Sequence, residues 1–154
     1  MIGKLIGDWS TAGGTVCAPG AYVSKADELQ ARTEEFADAV IALCEKVELT
    51  PRTKRIVEQL IGAATGTASN FRAARRARSH AEFTARIGIV AEEADESAYW
   101  LERVVKFGYG ESENAKELFD EATELMKIFG RAAATARARN HIRTARHVHD
   151  RNRK

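Results

Sequence analysis

Proline is almost missing from this chain, with two in 154 residues. Each proline removes a helical N–H and clashes with the preceding turn, so its scarcity leaves room for long unbroken helices. Cysteine is as scarce. Cys17 lies in a glycine-rich leader and Cys44 on an apolar helical face, which reads as two free thiols and not as a secreted disulfide framework. No segment approaches the roughly 20 apolar residues of a membrane span. Met1 to Trp9 is broken by Gly3, Lys4, Gly7 and Asp8 before it reaches the roughly 7–15 apolar residues of a secretory signal. The expectation is a cytoplasmic protein with no membrane partner.

Catalytic motifs are missing too. There is no Glu-x-x-His pair of the kind that builds a di-metal site in a helical bundle, and no Gly-x-Ser-x-Gly elbow. A phosphate-cradling glycine loop and a Cys-x-x-Cys pair are also absent. His80 sits beside a helix cap, and His141, His147 and His149 fall in a basic tail where adventitious metal binding competes with simple fraying. No enzyme activity, cofactor or metal site is expected.

What remains is the composition of one globular domain, 44% hydrophobic and 30% charged. The net charge of +2 conceals four blocks of alternating sign. Residues 1–51 hold 4 Lys/Arg and 8 Asp/Glu, residues 52–86 hold 8 and 2, residues 87–130 hold 4 and 11, and residues 131–154 hold 8 and 1. Such asymmetry bears on partners.

Residues 1–24 read as a flexible leader. A first helix is expected after Ser24, an N-cap with Asp27 three residues on, along the stripe Leu29, Phe36, Val40, Leu43, Cys44, Val47. Thr50-Pro51 is a cap followed by a first-turn proline. It opens a second helix along Ile56, Leu60, Ala63, Ala64, Thr67, Phe71 and Ala74. That helix should end near Ala77, because Arg78 would otherwise fall on the apolar stripe. Ser79 with Glu82 is a capping box for a third helix along Phe83, Ile87, Val90, Ala94, Ala98, Leu101 and Val105, stopped by Gly108. A fourth helix from near Ser112 uses Ala115, Leu118, Phe119, Ala122, Leu125, Met126, Phe129 and Ala133. Four such segments with short connections predict an all-α, up-down antiparallel four-helix bundle over residues 25–137, followed by a basic, frayed tail at 138–154.

Three features fall outside the core pattern. The acidic run Glu92, Glu93, Asp95, Glu96 spreads around the flank of the third helix and reads as a solvated or interface face in preference to a metal site. Ile89, Glu93, Glu96 and Trp100 form a second stripe on that helix, and Gln59, Gly66 and Asn70 form a small, polar flank on the second. Single exposed apolar groups are normal, but an aromatic among charges also describes a subunit interface, and these seven residues are the candidate oligomer surface. Finally, Arg72, Arg75, Arg76 and Arg78 crowd one helix end. Helix-dipole complementation alone needs fewer cations, and guanidinium groups bind phosphate bidentately. With Arg137, Arg139, Arg143 and Arg146 of the tail, they are candidate contacts to RNA or DNA through phosphates. No base-reading motif or stacking platform accompanies them.

The stretch from Gln59-Leu60-Ile61 through Thr67-Ala68-Ser69-Asn70-Phe71-Arg72, then Ser79-His80-Ala81-Glu82-Phe83, then Glu92-Glu93-Ala94-Asp95-Glu96-Ser97-Ala98-Tyr99-Trp100-Leu101, resembles a known family. These are the four-helix-bundle proteins of intervening sequences in bacterial 23S rRNA genes, together with accessory variability determinants of diversity-generating retroelements. The resemblance spans about Lys25 to Arg137. It implies an up-down bundle, a homopentamer, no enzymatic activity and, for the retroelement members, nucleic acid and a reverse transcriptase as partners. The chain departs from those members in being near neutral and in having Ala73 and Ala74 where many relatives carry a glutamate.

Overall fold

The computed structural model describes residues 24–151, and its first helix is capped by Ser24. Its hydroxyl oxygen accepts the Asp27 N–H at 3.2 Å, and the Asp27 carboxylate accepts the Ser24 N–H at 3.0 Å, closing a capping box. The Ser24 hydroxyl and then the Arg75 guanidinium, both hydrogen-bonded to that carboxylate, hold its pKa down at about 2. Helix α1, Lys25–Glu45, follows from this cap.

Thr50 and Thr53 form a second box across Pro51. Thr53 N–H donates to the Thr50 hydroxyl at 3.2 Å, and Thr50 N–H donates to the Thr53 hydroxyl at 2.7 Å. Helix α2, Pro51–Ala74, runs from there. It stops three residues before the expected Ala77. The chain tightens into three-residue bonds, Arg76 N–H to Ala73 C=O and Ala77 N–H to Ala74 C=O, both 3.1 Å. That turn carries Arg78 off the core stripe.

Helix α3, His80–Phe107, is capped by Ser79, whose hydroxyl accepts the Glu82 N–H at 3.1 Å. Only half of the expected box forms, because the Glu82 carboxylate takes the Arg78 N–H at 3.0 Å instead of that of Ser79. Gly108 ends α3 at φ 67, and Tyr109 N–H reaches back to Val104 C=O at 3.0 Å.

Helix α4, Ser112–Arg151, is the longest at 40 residues. It does not fray at 138 as expected. No glycine or proline follows Gly130, and the Ala/Arg-rich sequence has high helix propensity. Among the described side chains of α4 the last buried one is Ala136, and residues 137–139, 141 and 142 are exposed along a helix that continues to Arg151.

The four helices pack as an all-α, up-down antiparallel bundle in which each helix neighbours two others and neither diagonal pair approaches closely. Among the described residues there is no strand. The core carries the predicted stripes: Val40 and Leu43 from α1, Leu60 and Phe71 from α2, Val90 and Leu101 from α3, Leu125 and Phe129 from α4. The Phe71 and Phe129 rings meet at 5.0 Å, tilted by 58°. One stripe residue was misplaced. Val105 is 36% exposed and Val104, 2% exposed, takes its place. A three-residue step from Leu101 keeps the last turn of α3 facing inward, where a four-residue step rotates it outward.

The thinnest seam lies between α1 and α4. There the Arg32 guanidinium donates to both Glu121 carboxylate oxygens at 2.6 and 2.8 Å, a bidentate clasp that raises the arginine pKa. No helix among the described residues is long and apolar enough to cross a membrane.

Candidate interaction surfaces

The end of α2 and the start of α3 place the four clustered arginines in different circumstances. Arg75 turns back to α1, with Nη1 on the Gln30 side-chain oxygen at 2.6 Å and Nη2 paired to the Asp27 carboxylate. Arg78 is 91% exposed at its side chain but still pairs with Glu82 at 3.3 Å. Arg72 and Arg76 lie four residues apart, both exposed, and neither takes a hydrogen bond or ion pair among the described residues. Arg72 borders a shallow α1/α2 groove whose other rim carries Glu34 and Asp38. Two of the four arginines are therefore structural ties and two are available for a partner.

Arg137 and Arg139 are exposed near the point where α4 leaves the bundle. Arg137 lies along α3. Its Nη2 stands 3.5 Å from where a Cβ on Gly88 would sit, an ordinary contact distance that places the guanidinium against the α3 surface. The side chains of Arg143 and Arg146 lie outside the described residues, as do Cys17 and the leader through residue 23.

The seven residues of the candidate oligomer surface fall on the edge shared by α2 and α3. Gly66 and Glu93 meet there directly: a Cβ on Gly66 would come within 2.8 Å of the Glu93 carboxylate carbon. The antiparallel register fixed by this pair sets Asn70 at the level of Ile89 and Gln59 at the level of Trp100. Asn70 Nδ2 donates to Gly66 C=O at 2.9 Å and covers the same edge. The Glu93 carboxylate has no hydrogen-bond or ion-pair partner among the described residues. Burial first, then the charges of Glu96 and Glu92, push its pKa up.

Further along, the outer face of α3 carries an aromatic and charged cluster. Trp100 Nε1 donates to Glu96 at 3.0 Å, and Tyr99 stands edge-on to Trp100 at 5.0 Å. The Arg103 guanidinium lies 4.9 Å from the Tyr99 ring centre, and its buried Nε has no partner. Ile89 is 41% exposed and Tyr99 50% exposed. Sequence reasoning missed Tyr99 and Arg103, although both follow the helical spacing of Glu92 and Glu96 on one face. It also missed the Arg32–Glu121 clasp, whose 89-residue separation leaves no local signal.

At the opposite end of the bundle, an open cleft lies between the α1–α2 and α3–α4 connections, lined by Lys46, Thr50, Arg52, Tyr109 and Gly110. Lys46 is neutralised there by Glu111 at 3.0 Å. Among the described residues no three His, Cys, Asp or Glu side chains are grouped to hold a metal ion.

Residues 27–131 match the family model described as 23S rRNA-intervening sequence protein. Among solved structures, the chain is similar to a protein of unknown function from the S23 ribosomal protein family of Bacteroides thetaiotaomicron VPI-5482. The two share 24% sequence identity with a TM-score of 0.60, over 68% of this chain and 97% of the other. That likeness speaks to the fold. No curated protein sequence matches the chain.

Proposed function

The chain belongs to the 23S rRNA-intervening sequence protein family, and from that membership we propose that it is a non-enzymatic, cytoplasmic, homo-oligomeric bundle that binds nucleic acid through phosphates without reading bases. The observation that carries the nucleic-acid part is the pair Arg72 and Arg76, exposed one helical turn apart with no ion pair among the described residues. Arg137 and Arg139 on α4 extend the cationic surface. Guanidinium groups so placed suit phosphate, and no aromatic stacking platform accompanies them. The oligomer part is supported by the α2/α3 edge, where Ile89 and Trp100 flank a half-buried, unpaired Glu93.

Phosphate-led binding has a defined signature. Affinity for a generic RNA or DNA duplex falls steeply as salt rises, and Arg72→Ala combined with Arg76→Ala reduces the log–log slope by roughly 2. Failure to bind any duplex or single strand at about 50 mM salt removes the nucleic-acid half of the reading.

A second reading, an oligomeric scaffold for a protein partner with no nucleic-acid role, is favoured by the ties of Arg75 and Arg78 to Asp27 and Glu82. Under it, the arginine substitutions leave partner capture unchanged. Linkage to a retroelement reverse transcriptase belongs to the first reading and is tested by co-purification from cells expressing both proteins.

A further inference from the structure

The outer face of α3 is unpartnered in a specific way. Glu92 and Glu96 are exposed one turn apart, with Tyr99 and Ile89 on the same side of the helix. The Glu92 and Glu93 carboxylates have no cationic partner among the described residues. Elsewhere on the molecule the complementary arrangement exists. Arg72 and Arg76 project from α2 without carboxylate partners among the described residues. Beside them Thr65 and Ser69 fold their hydroxyls back onto the backbone, Thr65 to Ile61 C=O at 2.7 Å and Ser69 to Gly66 C=O at 3.3 Å. Burying that part of α2 under a partner therefore strands no hydroxyl.

The basic face lies on the α1 side of α2, where Arg72 borders the α1/α2 groove, and the acidic, aromatic face lies on the outside of α3, so one chain does not bring them together. A second copy can. We propose that the outer face of α3 in one copy, centred on Glu92 and Glu96, docks on the Arg72–Arg76 end of α2 in the next copy, so that assembly and phosphate binding draw on the same two guanidinium groups. This rests on the oligomeric part of the reading above and specifies its chemistry. Such a contact joins two different surfaces, and it is heterologous, the kind that closes into a ring when its rotation permits. It also makes nucleic acid a competitor of assembly at Arg72 and Arg76, leaving α4 as the phosphate contact of the assembled form.

Charge reversal separates the two faces. Glu92→Arg with Glu96→Arg spoils one surface, and Arg72→Glu with Arg76→Glu spoils the other, all at exposed positions. By light scattering, each variant alone is expected at the mass of a single 17.0 kDa chain. An equimolar mixture is expected to assemble again, because the sound faces of the two variants match and their two reversed faces are also of opposite sign. Adding duplex DNA to the wild-type oligomer is expected to lower the number of protein chains per particle, read as protein mass separated from DNA mass, and an unchanged number overturns the competition. A mixture that stays monomeric, or single variants that assemble as the wild type does, overturns the proposal while the oligomeric reading stands. A wild-type chain that is itself monomeric overturns the oligomeric reading first. Should a charge reversal impair folding, the alanine versions replace it in a double-mutant cycle, where the quadruple variant must assemble no worse than either double variant. Additive losses there refute the contact.

Discussion

Glu93 and Gly66 set each other's properties. The missing side chain of Gly66 is the space in which the Glu93 carboxylate lies. A Cβ at position 66 would displace the far end of a flexible side chain and no backbone, so Gly66→Ala trades little packing for about 0.8–1.0 kcal/mol of helix propensity. It is expected to leave the monomer unchanged or to raise its melting temperature, and a fall exceeding the propensity gain would show that the edge is rigid. The carboxylate itself works against the fold at neutral pH. Its folded pKa lies above the ordinary glutamate value, so the native state holds the proton more tightly than the unfolded chain. Stability is therefore greatest below the unfolded pKa and falls as pH rises through the folded one. Glu93→Gln should stabilise the protein at pH 7 by about 0.5 kcal/mol or less and do nothing at low pH. Denaturant melts at both pH values check this, and a destabilisation at pH 7 would reveal a partner for the carboxylate within the chain.

At the scale of the helices, the caps carry most of what a reader of the sequence can know. Ser24, Thr50, Ser79 and Gly108 mark their helix ends because each meets a backbone need within a few residues of itself. Gly108 illustrates the magnitude. At φ 67 an alanine is strained, although nothing lies within 4 Å of its Cβ, so the cost is conformational alone. Gly108→Ala should destabilise by about 1–2 kcal/mol, read as a shift in the denaturation midpoint with unchanged slope. What stayed illegible was non-local. Glu82 serves Arg78 instead of Ser79 because the turn after Ala74 brings that amide within reach. Arg75 looks in sequence like another phosphate ligand, but the packing of α2 on α1 delivers it to Asp27 and Gln30. A cluster of arginines announces charge, and only the fold decides which of them are already neutralised.

For the whole molecule, the length of α4 is the feature that separates stability from function. At 40 residues against 28 for α3, an antiparallel pair leaves twelve residues, about 18 Å, projecting past the bundle. The apolar stripe of α4 stops at Ala136, and residues 137–139, 141 and 142 are exposed. Amphipathic packing is what holds a helix of this kind, so the projecting turns rest on local propensity while the bundle owes them little. Cutting the chain after Asn140 removes Arg143, Arg146, Arg151, Arg153 and Lys154 and retains every core position among the described residues. The truncated protein should unfold within about 0.5 kcal/mol of the full chain. Its duplex binding should lose up to about 4.5 from the log–log salt slope, if each of the five removed cations met one phosphate. An unchanged slope would confine phosphate contact to the retained cations, Arg72 and Arg76 with Arg137 and Arg139. In that case nucleic acid and a second copy would compete at Arg72 and Arg76, and the truncated oligomer would release its subunits at the same duplex concentration as the full chain. A lost slope with intact assembly would instead divide the labour, α4 holding the nucleic acid and the α2 and α3 faces holding the copies together.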